Sequence, residues 1–234
     1  MDYNTMLAGL RELVDNPTPR VPVGLCLDVS SSMYGQPIEE LNAGLRQFLD
    51  ELRKDELTCT SAETAVVTFG SSAQCVADFA TADQIQVEPL EANGLTYMGE
   101  GLTMALDLLE QRKERYKAAG VDYYQPILVV MSDGCPNGDP RVLREAAQRI
   151  CQMVEARRLT VVAVGIGEGA DMEQLRRISG RKAVRLQGLQ FREFFAWLSR
   201  SVSVVSDSIP GAEPEPDLAE LQALAVQPWP EDAL

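Results

Sequence analysis

Asp28, Ser30 and Ser32 stand at alternate positions where the apolar run Val21-Pro-Val-Gly-Leu-Cys-Leu27 ends. A buried strand normally closes on a turn residue, but this one closes on a carboxylate and two hydroxyls. The turn Tyr34-Gly35-Gln36 and a helix opened by Pro37 follow. Three hard oxygen donors gathered at the end of one strand suit a hard divalent cation such as Mg2+. The same residue types also cap helices. A cap needs only one of them, so the alternate spacing is what points to a cation.

Composition narrows the chemistry further. The 234 residues suit one large domain, and 45 % hydrophobic with 24 % charged residues is ordinary globular usage. With 35 acidic against 21 basic side chains, the net charge of -14 disfavours nucleic acid and anionic membrane as partners. Histidine is absent. That removes Ser-His-Asp and Cys-His nucleophilic catalysis, histidine acid–base chemistry and every histidine-containing zinc site. The five cysteines, Cys26, Cys59, Cys75, Cys135 and Cys151, are scattered without a C-x-x-C pair. Reduced thiols in a reducing compartment are the simplest account. The first twenty residues carry Asp2, Arg11, Glu12 and Asp15, with no secretory pattern, and no apolar run reaches bilayer length. The expected location is the cytoplasm.

The elements that must position the donors follow from periodicity. Met6, Leu7, Leu10, Leu13 and Val14 predict a helix over 5–15, within an N-terminal extension of residues 1–20. Ile38, Leu41, Leu45, Phe48, Leu49 and Leu52 predict an amphipathic helix to Arg53. Runs at 64–69 and 73–79 around Gly70-Ser71-Ser72 predict a hairpin, and 81–98 reads as mostly irregular. A helix over about 99–117, a buried strand over 125–131, a helix over 140–157 and a buried strand over 160–166 come next. A short helix at 171–179, an edge strand at 183–186 and a helix over 191–206 close a domain of residues 21–209. Residues 210–234 form an acidic, proline-spaced tail in which Leu218, Leu221, Leu224 and Val226 could make an amphipathic turn and Trp229 a docking group.

Apolar strands alternating with amphipathic helices predict an α/β, doubly wound, mostly parallel sheet with one antiparallel edge strand and helices on both faces. Ligands in such folds bind at the carboxyl ends of the strands, near the switch point. Asp28 and Asp133, in Met131-Ser-Asp-Gly134, both fall at that edge.

Asp28-x-Ser30-x-Ser32, then Thr96 in Gly94-Leu-Thr-Tyr-Met-Gly-Glu-Gly-Leu102, then Asp133 resembles the von Willebrand factor A (VWA) domain and its metal-ion-dependent adhesion site. The resemblance covers residues 21 to about 205. Gly35-Gln-Pro-Ile38 and the long 99–117 helix look most like the bacterial tellurite-resistance-associated (TerY-like) branch. It implies a Rossmann-like fold and a site in which Ser30 and Ser32 bind the ion directly. Thr96, Asp28 and Asp133 would bind directly or through water. The ion would be Mg2+, with Mn2+ or Ca2+ as alternatives, and a partner's carboxylate would complete its shell. The implied function is a non-enzymatic, metal-dependent protein–protein interaction module of a cytosolic stress-response or signalling system. Kinase and phosphatase components are among the partners it suggests. The departure is Ser31, where the family motif commonly has Gly; a φ > 0 there would cost about 1 kcal/mol.

Thr96 alone reads equally well as a helix cap, Asp133-Gly134 as a turn, and Cys135 as a passive loop cysteine or a rim thiol. Gly165-Ile-Gly167-Glu-Gly-Ala170 approximates a dinucleotide fingerprint but sits on the third buried strand and lacks the following ribose acid. Two alternatives remain. One is a metal-dependent hydrolase or phosphatase with Asp28, Asp133, Glu100 or Asp139 as base. The other is a metal-free scaffold whose motif is vestigial.

Overall fold

The computed structural model describes Leu13, Asn16 and residues 18–179, 183–186 and 190–208. The predicted helix at 5–15, apart from Leu13, and the tail from 210 lie outside the described residues. In chain order the elements are β1 (Val21–Asp28), α1 (Gln36–Leu52), α2 (Glu56–Ser61), β2 (Ala62–Phe69), β3 (Ala73–Thr81), α3 (Met98–Ala119), β4 (Ile127–Ser132), α4 (Pro140–Glu155), β5 (Thr160–Ile166), α5 (Met172–Ile178), β6 (Ala183–Leu186) and α6 (Phe191–Ser206). A single 3-10 turn over Ser31–Met33 joins β1 to α1. The 3-10 turn and α2 are the two elements that periodicity misses; each is too short to show a face.

The sheet order is β3-β2-β1-β4-β5-β6. Every pairing is parallel except β2 with β3, the hairpin at one edge. Alternation along β1 divides the core. Val21, Val23, Leu25 and Leu27 pack with α1 and α6 on one face, while Cys26 packs with α3, α4 and α5 on the other. The strands carry apolar residues on both faces because both are covered, which is why they read as continuous runs rather than as alternation. The chain order reverses between β1 and β4, so Asp28 and the end of Ser132 are neighbours across one strand spacing.

The opposite end of the sheet holds a buried ionic cluster that sequence reading did not find. Glu63, at the start of β2, accepts hydrogen bonds from Arg20 Nε at 2.9 Å and from Arg112 Nε at 2.6 Å. Tyr116 donates its hydroxyl to the same carboxylate, and all four side chains are buried. Burial first, then the Glu63 charge, pushes the Tyr116 phenol well above its ordinary range.

Candidate metal centre

The end of β1 supplies the carboxylate. Asp28 is fully buried; its Oδ1 accepts the Ser30 N–H at 2.8 Å and its Oδ2 accepts the Ser132 hydroxyl at 2.6 Å. The Ser30 bond bends the chain out of the strand and starts the 3-10 turn. That turn brings Ser30 Oγ to 3.0 Å from Ser32 Oγ. Ser32 Oγ in turn donates to Asp133 Oδ1 at 2.8 Å, across from the end of β4. Asp28, Ser30, Ser32 and Asp133 are therefore linked in one chain of hydrogen bonds, and Ser132 ties Asp28 to the loop after β4 through Gly134.

Thr96 arrives on the same rim by a different route. Gly94 exchanges bonds with Ser31, its N–H going to Ser31 Oγ at 2.9 Å and its C=O taking the Ser31 N–H at 2.9 Å. Leu95 N–H donates to Ser71 Oγ at 3.0 Å. Thr96 is buried; its N–H donates to Asn137 Oδ1 at 3.1 Å and its C=O accepts from Asn137 N–H at 2.8 Å. Its hydroxyl makes no hydrogen bond among the described residues, unlike the other two. Three loops, after β1, before α3 and after β4, are thus stapled together around the five predicted residues.

Ser31 does not need a positive φ. Among the described residues the only non-glycine with one is Arg157, and the left-handed position of this loop is Gly35 at φ +84°. Ser31 instead contributes the hydroxyl that holds Gly94. Ser132 and Asn137 are the participants sequence reading missed. A hydroxyl directly before Asp133 at the end of a buried strand was the available signal for the first. The second lies in an irregular loop and left none.

Burial raises the Asp28 carboxyl above its ordinary range, against hydrogen bonds from Ser132 and Ser30 that lower it, and the Asp133 charge adds to the rise. Burial also raises Asp133, with the Ser32 hydroxyl opposing it. Two partly desolvated carboxylates beside the Ser30 and Ser32 hydroxyls, with Thr96 on the same rim, form a donor set that a cation would stabilise. Their spacing, that of ordinary O–H···O hydrogen bonds, is also compatible with one. With Mg–O distances of 2.0–2.1 Å, adjacent ligands of an octahedron stand ~2.9 Å apart. The Ser30–Ser32 and Ser32–Asp133 oxygens are 3.0 and 2.8 Å apart. Among the described residues no three His, Cys, Asp or Glu side chains group as a metal site, so any ion here relies on the hydroxyls. Exposed Tyr34 and Leu95 flank these loops as large apolar side chains.

The other motif resolves structurally. A Cβ on Gly165 would stand 2.3 Å from Met172 Sδ, so this glycine is needed for α5 to lie close against β5. Asp139 caps α4 through the Arg141 N–H at 2.8 Å and pairs with the Arg141 side chain. All five cysteines are free thiols.

The profile of the von Willebrand factor type A domain family matches residues 23–194. Inter-alpha-trypsin inhibitor heavy chain H2 of Mus musculus is 24% identical over 179 residues, covering 70% of this chain and 18% of that protein. The chain therefore spans about a fifth of that relative's length. Among solved structures, the von Willebrand factor type A protein from Catenulispora acidiphila superposes with a TM-score of 0.58 at 22% identity, covering 79% of this chain and 43% of that one. The vWF domain of the type V pili tip protein Mfa5 from Porphyromonas gingivalis gives a TM-score of 0.62 at 12% identity, covering 82% and 98%. At these identities the structures speak for the fold. The family profile, which spans both Asp-bearing strands, speaks for descent: this chain belongs to the von Willebrand factor type A domain family, whose members are commonly protein-interaction or adhesion modules.

Proposed function

We propose that the chain is a metal-dependent protein-interaction module. Asp28, Ser30, Ser32, Thr96 and Asp133 would hold Mg2+, and a partner's carboxylate would complete the ion's shell. The observation that carries this reading is the convergence of Asp28, Ser30, Ser32 and Asp133, from the ends of β1 and β4, into one hydrogen-bonded set of oxygen donors, with Thr96 held on the same rim. The bound ion would supply positive charge where Asp28 and Asp133 are the charged groups of the set. The protein's own residues orient the hydroxyls and exclude water from Asp28. Exposed Tyr34 and Leu95 beside the site fit a contact surface.

Asp28 has both oxygens engaged and Asp139 is committed to its cap, so neither stands as a free general base. Of the four candidate bases this leaves Asp133 and Glu100 to the hydrolase reading. Free thiols at all five cysteines support a reducing, cytosolic setting. Within that setting the tellurite-resistance-associated branch, and a role in stress response or signalling with kinase and phosphatase components, is the assignment we propose.

Titration calorimetry with MgCl2 tests the reading. Wild type should give a saturable heat that Ser30→Ala/Ser32→Ala loses; equal heats, or none in wild type, overturn it. Phosphoester turnover with Mg2+ or Mn2+ that disappears in Asp28→Ala would replace the binding reading with the hydrolase one.

A further inference from the structure

Beside the candidate centre, segment 86–93 and the adjoining ends of β2 and β3 enclose a groove of about 430 Å3, within the ordinary range of ligand sites. Thr68, Gln74 and Val76 form one wall, Glu88 and Glu91 the other, and Val29 lies at the end nearest the site. The acidic wall is fixed in place. Asn42 on α1 clasps Leu90 with two hydrogen bonds, 2.9 Å to its C=O and 2.8 Å from its N–H, and Asn93 N–H donates to Val29 C=O at 2.7 Å. Val29 lies between Asp28 and Ser30 in the chain. Ser71, also in the lining, holds Leu95 beside Thr96. Groove and centre therefore share a wall.

The chemistry of the groove is one-sided. Glu88 and Glu91 are exposed, and among the described residues neither has a hydrogen bond or an ion pair. No lysine or arginine lines the groove, while Val29, Val76, Pro89 and Leu90 give it apolar surface. An aliphatic stem with a cationic head complements both properties at once. We propose that this groove receives a lysine or arginine side chain of the partner segment whose carboxylate reaches the candidate centre. The partner is thereby defined as a segment carrying an acid and a base in fixed register. β3, which supplies Gln74 and Val76 to the lining, lies two strand spacings, ~10 Å, from β1, a span that an extended chain covers in about three residues. The carboxylate half of this assignment rests on the function proposed above; the basic half stands on the groove.

The test uses the full chain and capped, fluorescein-labelled peptides with one Asp, two neutral residues and then Lys, Ala or Glu. Anisotropy titrations run in MgCl2 and in EDTA. The Lys peptide should bind roughly two- to fivefold tighter than the Ala peptide at low salt. Glu88→Gln/Glu91→Gln should abolish that preference while leaving the Ala peptide unchanged, and Glu88→Lys/Glu91→Lys should shift it to the Glu peptide. A Lys peptide no tighter than the Ala peptide, non-binding of both included, overturns the assignment. So does a preference that survives Glu88→Gln/Glu91→Gln. A Lys peptide that binds equally tightly in MgCl2 and in EDTA, its preference over the Ala peptide intact, upholds the groove and overturns the metal-dependent reading instead, so the two failures are distinct.

Discussion

Ser132 stands between the two candidate acidic ligands, its hydroxyl 2.6 Å from Asp28 Oδ2, both groups fully buried. Removing it strips the largest of the hydrogen bonds that hold the Asp28 carboxyl down, so the carboxyl should rise further and the charge should be harder to keep. We expect Ser132→Ala to lose about 1–3 kcal/mol of stability in urea unfolding, the range for a buried polar group left without its partner. Two exposed aspartates give the opposite behaviour. Asp55 caps α2 and Asp139 caps α4, and hydrogen bonds from the helix N–H groups hold both carboxyls below their ordinary range. A carboxyl lowered on folding contributes stability above its unfolded pKa and loses it as pH falls through its folded one. The melting temperature of wild type should therefore fall more steeply on acidification than that of Asp55→Asn/Asp139→Asn, the gap between them closing as both carboxyls protonate.

At the scale of elements, α1 and α6 pack so closely that a Cβ on Gly44 would lie 2.5 Å from the Phe195 ring. Gly44→Ala should destabilise the protein by about 1–3 kcal/mol, the usual cost of overpacking, read as a lower urea midpoint with unchanged slope. Much of this layer was legible in the sequence. Ile38 to Leu52 and Phe191 to Val205 recur at helical spacing, and buried strands stand out as unbroken apolar runs. Asp28, Ser30 and Ser32 were legible for a related reason, since polar residues at the end of such a run break a local rule. What the sequence could not show depends on partners far along the chain. Asn137 meets Thr96 from 41 residues away, Asn42 meets Leu90 from 48, and Glu63 meets Arg112 from 49. None of these residues departs from what its own neighbours allow, so no periodicity flags it.

Across the whole molecule, the ends of the sheet do different work. The carboxyl end of β1 and β4 gathers the candidate centre, and the start of β2 buries Glu63 against Arg20, Arg112 and Tyr116. Glu63→Gln leaves two guanidinium groups without their counter-charge, and we expect a loss of about 3–5 kcal/mol in urea unfolding, with Mg2+ binding by the surviving folded protein unchanged. The loops at the other end contribute little to that anchor. Segment 86–93 is held by the Asn42 clasp and the Asn93–Val29 bond, and the acids it displays pair with nothing among the described residues. Its lettering can thus be rewritten without touching what keeps the chain folded. A library randomised at Gln86, Glu88, Pro89 and Glu91, with Asn42 and Leu90 kept, would make this fold a frame for selecting binders of new specificity.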